Sequence, residues 1–209
     1  MKTLELFCGT KSFSKVAKEY GYETLTLDFD NTFNPDIAKN IMDFYIQDLN
    51  GYRPDIIWAS PPCQKFSVAS LGRNWNKEDM TPKNDDTKKA MQIVLKTVQI
   101  IKDLKPKYFY IENPRAMLRK IGLIPYDYST VTYCQYGFHY MKPTDIWSNN
   151  EEWLKVAKSC KNGMPCHESA PRGSATGTQG LKNPAERGKI PPDLIKEILN
   201  YSREEDNNE

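Results

Sequence analysis

The feature that most constrains this chain is an apolar run that ends abruptly at two prolines, residues 54–64, with the sequence PDIIWASPPCQ. Residues 55–59 predict a short buried strand of a parallel sheet. The prolines stop the strand, because proline cannot donate to a ladder and restricts the residue before it. We therefore expect Cys63 on a stiff turn past the carboxyl end of a strand, where open α/β sheets bind ligands. A catalytic thiol and a buried core cysteine are both open interpretations of Cys63.

Length and composition predict one globular domain, since the chain has 209 residues and 39% of them are apolar. The formal net charge is +2, so any nucleic-acid-binding surface must be a local basic patch. No apolar run approaches the roughly 18 residues that a membrane span needs, and Glu5 interrupts a signal-peptide pattern. Five cysteines without the spacing of a disulfide framework predict a reducing, cytoplasmic setting. We expect a monomer that does not associate with membranes.

The amino-terminal segment predicts a strand–helix–strand unit of nucleotide-binding type. The first strand, the helix and the second strand are expected at residues 3–8, 13–20 and 23–28, respectively. Ser12 is the expected helix cap. Asp28 falls at the carboxyl end of the second strand, where an acid can accept hydrogen bonds from ribose hydroxyls. Only Gly9 matches a glycine-rich fingerprint, so a nucleoside site and a plain βαβ packing unit both stay open.

The middle of the chain predicts a parallel crossover that brings an acid to the same edge as the cysteine. A polar loop, a long helix and a strand are expected at residues 65–86, 85–104 and 107–112. Because such crossovers are right-handed, Cys63 and Glu112 should stand at one edge of neighbouring or near-neighbouring strands. A loop as long as 65–86 is usually functional or mobile. Taken alone, Glu112 fits equally well as a partner of the dipole of a short helix near residues 116–120.

The carboxyl-terminal third predicts two more strands, at residues 128–134 and 144–147, and then a loop-like stretch at 149–180. Arg172 in that stretch is either a phosphate contact or an ordinary solvated side chain. We divide the chain into a catalytic and cofactor-binding domain, a reduced recognition or loop region, a helix that returns to the first domain and a disordered acidic tail, at residues 1–148, 149–182, 183–201 and 202–209.

Three residues near the carboxyl terminus suggest a zinc site, but their spacing argues against one. Cys160, Cys166 and His167 have a Cys-x5-Cys-His pattern, which is not a usual ligand pair. A fourth ligand would have to come from elsewhere, for example from His139. From sequence we therefore expect no bound metal.

Five short motifs, in order and at predicted strand ends, together resemble those of the cytosine carbon-5 DNA methyltransferases. They are Leu6-Phe7-Cys8-Gly9, Asp28-Phe29, Asp43, Pro61-Pro62-Cys63-Gln64-x-Phe66-Ser67 and Ile111-Glu112-Asn113-Pro114. The resemblance spans most of residues 3–147 and is closest to short, phage-encoded forms. It implies a Rossmann-like α/β methyltransferase fold, a mostly parallel sheet with helices on both faces. It also implies S-adenosylmethionine as cofactor and DNA as the partner, with cytosine carbon 5 as the methyl acceptor.

The resemblance also implies roles for individual residues. Catalysis would involve Cys63, Glu112 and Lys142, with the thiolate of Cys63 adding to carbon 6 of a flipped or single-stranded cytosine. The implied cofactor-binding residues are Phe7, Gly9, Thr10, Asp28, Phe29, Asp43 and Pro61. The implied substrate contacts are Gln64, Ser67, Arg73, Asn74, Asn113 and Arg115, with Lys77 as a further DNA contact on a lid formed by residues 65–86.

Departures from the family pattern leave other functions open. Lys11 and Ser12 replace two glycines of the first motif. A family arginine that orients the base is missing, or Lys142 takes its place as a point charge. The recognition region is short and the closing Gly-Asn motif is at best a remnant at residues 177–180, which favours relaxed or partner-supplied sequence specificity. The alternatives are a weak or inactive DNA-binding or anti-restriction decoy of the same fold, and a methyltransferase acting on cytosine in tRNA or another RNA.

Overall fold

A computed structural model describes residues 1–169, 181 and 183–204 of the chain. Its centre is a seven-stranded sheet in the order β3-β2-β1-β4-β5-β7-β6. The strands are β1 Lys2–Leu6, β2 Glu23–Asp28, β3 Ile37–Ala38, β4 Ile56–Ala59, β5 Tyr108–Pro114, β6 Tyr128–Thr132 and β7 Pro143–Ser148. Strands β1 to β5 pair in parallel, whereas β7 is antiparallel to both β5 and β6. The predicted mostly parallel sheet is confirmed.

Seven α-helices connect or follow these strands in the described part of the chain. They are α1 Ser12–Glu19, α2 Leu71–Asn74, α3 Asp85–Leu104, α4 Met117–Lys120, α5 Glu151–Val156, α6 Pro184–Gly188 and α7 Pro192–Glu204. Short 3-10 helices lie at Asn31–Phe33, Ile41–Asp43, Ile46–Leu49, Val68–Ser70 and Tyr133–Tyr136. Among the helices described, none combines the length and the apolar character needed to cross a membrane.

The sheet buries both of its faces, because side chains alternate along each strand. In β4, Ile57 and Ala59 pack on the face that α3 covers, while Ile56 and Trp58 pack on the opposite face. Helices α1, α5 and α7 cover that opposite face. Helices therefore lie on both faces of the sheet, as predicted, and the carboxyl ends of the parallel strands stay free for a site.

Three sequence-based predictions about the helices were wrong. The cap of α1 is Lys11 in the left-handed region, with no side-chain hydrogen bond, so Ser12 is not the cap. Helix α5 lies within the stretch that was expected to be loop-like. Helix α7 runs to Glu204, past the predicted end of the helix at residue 201. The hydroxyl of Ser202 is buried and lies 3.0 Å from the hydroxyl of Tyr110, which explains the longer helix.

Some predictions fall outside the described residues. Arg172, the possible motif remnant at 177–180 and the end of the acidic tail at 205–209 belong to this group. The division into a catalytic domain and a recognition region also stays a prediction.

Candidate active site

The turn that carries Cys63 is held in place by backbone and side-chain hydrogen bonds. The carbonyl of Cys63 accepts from the backbone N–H groups of Phe66 and Ser67, both at 3.0 Å. The side-chain amide of Asn113, at the end of β5, donates to the carbonyl of Pro61 at 2.9 Å. The half-buried thiol is therefore fixed relative to two neighbouring strands.

Glu112 stands on β5, directly beside β4, as the crossover argument predicted. Ala59 pairs with Ile111 in parallel register, so the strand ends that carry the thiol and the acid are adjacent. Glu112 is 5% exposed. Its Oε1 accepts from the hydroxyl of Tyr133 at 3.0 Å. Among the described residues no donor is paired with the other oxygen, Oε2, which leaves that oxygen for a ligand.

Lys142 is the cationic partner of Glu112. Its Nζ lies 3.8 Å from Oε1 of Glu112, and both side chains are buried. The ammonium also donates to the carbonyl of Arg187 at 2.8 Å and lies 3.3 Å from the hydroxyl of Tyr133. Burial and the charge of Glu112 raise the pKa of Tyr133 well above its usual value, so Tyr133 stays a neutral O–H donor.

The charges of this cluster act on the Cys63 thiol. Burial raises the pKa of Cys63 above its ordinary value, and the carboxylate of Glu112 raises it further. Lys142 and Arg187 lower the same pKa in partial compensation. Tyr133 and Arg187 were not predicted as site residues, because neither lies in a local motif and both reach the site only through the tertiary fold.

The turn between β1 and α1 has an unusual backbone. Phe7, Gly9 and Lys11 have φ angles of 59°, 44° and 57°. Left-handed conformations are costly for residues with a Cβ, and such strain is common where a backbone approaches a ligand. Asp28, at the end of β2, accepts from the N–H of Gly9 at 2.9 Å. A Cβ added to Gly9 would meet no atom within 4 Å, so open space lies beside this turn.

These features fit a nucleoside-bearing cofactor. Phe29 follows Asp28 directly and is 71% exposed, which leaves its ring free to stack on a base. Asp43 is exposed at the end of a 3-10 helix, and the hydroxyl of Thr10 lies 3.2 Å from that of Ser12. The ammonium of Lys11 donates to the carbonyl of Asn34 in the loop after β2, which fixes the direction of this side chain.

Glu5 is a further residue that sequence analysis missed. It is 3% exposed in β1 and accepts from the backbone N–H groups of Phe13 and Ser14, at 3.2 and 2.9 Å. These are the free N–H groups of the first turn of α1. Burial raises the pKa of Glu5 to about 7. The residue anchors α1, and through α1 the turn that contains Gly9.

The residues predicted to contact DNA divide into exposed and buried groups. Gln64, Arg73 and Arg115 are exposed. Ser67 is half-buried, with its hydroxyl 3.3 Å from that of Ser70. Asn74 is 6% exposed, and the carbonyl of this residue accepts from the N–H of Lys83. Its burial makes Asn74 a structural part of the 65–86 loop, and its contact with DNA stays a prediction.

Asn113 is also buried, at 0% exposure. Its amide nitrogen is used to hold the Cys63 turn, whereas its Oδ1 has no hydrogen-bond partner within the described ranges.

The 65–86 loop itself is anchored, because Trp75 packs on Phe66 in the core and its indole N–H donates to the carbonyl of Lys65 at 2.7 Å. Exposed residues of this loop, such as Arg73 and residues 76–81, are the ones that a substrate could reach.

Comparisons with known proteins agree with this geometry. The family model for C-5 cytosine-specific DNA methylase matches residues 1–122. The chain is 30% identical to the "Probable DNA (cytosine-5)-methyltransferase" of Frog virus 3 (isolate Goorha), over 95% of this chain and 99% of that protein. It is 29% identical to a type II methyltransferase of Herpetosiphon aurantiacus, over 58% of this chain and 97% of that protein.

A solved structure supports the fold. The chain superposes on the methyltransferase EhMeth of Entamoeba histolytica with a TM-score of 0.52 and 15% identity. The superposition covers 71% of this chain and 52% of EhMeth. The chain thus spans about half the length of that solved protein. The family match, the near full-length relative and the strand-end motifs agree, and the chain belongs to the C-5 cytosine-specific DNA methylases, a family of DNA (cytosine-5-)-methyltransferases.

Proposed function

We propose that this chain methylates carbon 5 of cytosine in DNA through a covalent bond between Cys63 and carbon 6 of the base. The observation that carries the proposal is the arrangement of Glu112. Tyr133 and Lys142 hold its Oε1, and its charge acts on the Cys63 thiol. Glu112 lies on β5 and Cys63 follows β4, and these two strands pair in parallel, so a cytosine whose exocyclic amine donates to Oε2 would lie near the sulfur.

The chemistry explains why these residue types are needed. Carbon 5 of cytosine is a weak nucleophile, and addition of the Cys63 thiolate to carbon 6 converts the ring to an enamine. Glu112 would hold N3 and the exocyclic amine and share a proton with N3, which neutralises the charge that develops there. Lys142 and Tyr133 keep this carboxylate oriented. Once carbon 5 has received a methyl group, its proton and the proton held at N3 pass to solvent and the thiolate is eliminated, which restores both the aromatic ring and the enzyme.

We propose that S-adenosylmethionine is the cofactor and that it binds at the turn between β1 and α1. When bound, it supplies an electrophilic methyl group to carbon 5. The open space beside Gly9 leaves room for the cofactor. Asp28 would accept hydrogen bonds from the ribose hydroxyls, and the exposed ring of Phe29 would stack on the adenine. Asp43, Thr10, Phe7 and Pro61 remain the other proposed contacts.

The target cytosine must leave a duplex stack, or already be single-stranded, before a half-buried thiol can reach it. Exposed side chains near the turn, Gln64, Arg73, Lys77 and Arg115, are the proposed contacts to the nucleic-acid backbone or to the neighbouring bases. We further propose that the chain acts as a monomer and that sequence specificity is relaxed or supplied by a separate partner.

An active enzyme is favoured over a decoy, because a protein that only occupies DNA has no need to bury Lys142 against Glu112 at a substantial desolvation cost.

The test of the methyl acceptor uses unmethylated duplex DNA, single-stranded DNA and tRNA, each incubated with the purified full chain and S-adenosylmethionine. Nucleoside mass spectrometry should detect 5-methylcytosine in DNA. Methylation of tRNA alone would contradict the proposal that DNA is the substrate.

Two variants test the proposed residues in the same assay. Cys63→Ser and Glu112→Gln should each lower the rate by at least about 100-fold, the range for loss of a positioned acid, base or nucleophile. Glu152→Gln, which alters an exposed carboxylate on α5, is the matched control and should keep full activity. Methylation of DNA by Cys63→Ser at the wild-type rate would exclude the covalent route.

A further inference from the structure

Four potential metal ligands from two separate parts of the chain meet at one place. Cys134 lies in the 3-10 helix after β6, and Cys160, Cys166 and His167 lie in the segment after α5. One ligand atom from each residue lies within 4.8 Å of the corresponding atom of every other. None of these residues belongs to the cluster around Glu112.

The spacing of the ligand atoms is close to that of a tetrahedral zinc site. Bond lengths of about 2.3 Å for Zn–S and about 2.0 Å for Zn–N predict edges of about 3.8 Å between sulfurs and about 3.5 Å between sulfur and nitrogen. The Sγ atoms of Cys134 and Cys166 are 3.8 Å apart. Nδ1 of His167 lies 3.6 Å from Sγ of Cys160 and 3.5 Å from Sγ of Cys166. One sulfur–sulfur edge, between Cys134 and Cys160, is shorter at 3.1 Å.

The backbone and neighbouring side chains hold the ligands in this arrangement. The N–H of Cys160 donates to the hydroxyl oxygen of Thr132 at 2.9 Å, and the N–H of Thr132 donates to the carbonyl of Lys158 at 3.1 Å. The side-chain amide of Gln135 donates to Sγ of Cys166 at 3.3 Å. Donors to sulfur of this kind stabilise thiolates at metal sites.

We propose that Cys134, Cys160, Cys166 and His167 bind one structural zinc ion. Three soft thiolates and one imidazole in a tetrahedral set select zinc among the common divalent metals. Four protein ligands leave no open position, so the ion would have a structural role. On binding, the three thiols lose their protons to solvent and the imidazole binds as the neutral ring. Cys134 is thus the fourth ligand, in place of His139, the residue named above only as an example.

The site would fasten the segment after α5 to the wall of the active site. Cys134 follows Tyr133 directly, and Tyr133 donates the hydrogen bond that orients Glu112. A zinc ion at Cys134 would therefore stabilise the segment from α5 to His167 where it lies next to β6. This role is separate from the chemistry at Cys63, so the site can be tested without measuring methyl transfer.

The competing arrangement for these residues is a disulfide between Cys134 and Cys160, which would need their sulfurs to approach to about 2.05 Å. The test uses the untagged full chain, expressed with zinc and purified without chelators under reducing conditions. Elemental analysis should find about one zinc per chain, as four-ligand structural sites bind a single ion. Thiol titration of the native protein should show the cluster cysteines protected, and a strong chelator should expose three further thiols.

Variants then assign the ligands. Cys134→Ser and Cys166→Ser should each lower the zinc content at least several-fold, whereas Cys8→Ala and His139→Ala, which lie outside the cluster, should keep it. Should a ligand variant fail to fold, cobalt added to the metal-free wild-type chain provides the second readout, since thiolate-to-cobalt charge-transfer bands report sulfur ligation. The proposal is overturned by a zinc-free native chain with three reactive cluster thiols, by a Cys134–Cys160 disulfide, or by zinc that survives the loss of Cys134.

Discussion

The buried ion pair between Lys142 and Glu112 makes a specific prediction for the variant Lys142→Met. Nζ and Oε1 are 3.8 Å apart, and the side chains are 8% and 7% exposed. At an effective dielectric constant of about 20, two unit charges at this distance attract by about 4 kcal/mol. Because the substitution leaves the carboxylate uncompensated, we expect it to lower the free energy of unfolding by about 3–5 kcal/mol.

Urea unfolding of four proteins tests this magnitude: wild type, Lys142→Met, Glu112→Gln and the double variant. Glutamine at position 112 keeps an acceptor for the hydroxyl of Tyr133 but removes the charge. The double variant should therefore be more stable than Lys142→Met alone, with a coupling energy of roughly 2–4 kcal/mol. If the losses in the two single variants sum to the loss in the double variant within about 0.5 kcal/mol, the coupling is refuted. Lys155→Met, which removes an exposed partner of Glu152, should leave the unfolding midpoint unchanged.

Three further predictions follow from other parts of the site. Since burial and the charge of Glu112 raise the pKa of Cys63, alkylation by iodoacetamide should reach half-maximal rate at a higher pH than alkylation of a free cysteine, and Glu112→Gln should move that midpoint to lower pH. The carboxyl of Glu5 has a pKa raised from 4.5 to about 7, so its contribution to stability is present below pH 4.5 and is lost as pH rises to 7. Relative to Glu5→Gln, the wild type should therefore lose up to about 3 kcal/mol over that window, measured by urea unfolding at pH 5 and pH 8. Phe29→Ala should weaken S-adenosylmethionine binding about 10-fold by calorimetry, a loss of one stacked aromatic contact, without changing the melting temperature.

Sequence patterns predicted the central part of the fold, because the relevant signals are local. The apolar run before Cys63, the amphipathic helix at residues 85–104 and the next strand each predict their own structure, and the handedness of crossovers then brings Glu112 to the same sheet edge. The structure confirms α3 at Asp85–Leu104 and the parallel pairing of β4 with β5.

Other parts of the site depend on contacts that no local pattern contains. Tyr133 and Arg187 reach Glu112, Lys142 and Cys63 from distant parts of the chain, and each looks like an ordinary residue in sequence. Lys11 is the N-cap of α1 in a left-handed conformation that propensity argues against. Cys134 was not among the candidate metal ligands because it is far in sequence from Cys160, Cys166 and His167, and only the fold brings it to them.

The most direct test of the account is whether Cys63 becomes covalently attached to cytosine. DNA that contains 5-fluorocytosine should trap the adduct, because fluorine cannot leave carbon 5 as a proton does and the thiolate is then not eliminated. With S-adenosylmethionine present, the wild-type chain should form a complex with this DNA that survives denaturing electrophoresis, and peptide mass spectrometry should locate the link at Cys63. A trapped complex at another residue, or methylation of ordinary cytosine without any trapped complex, would contradict the account.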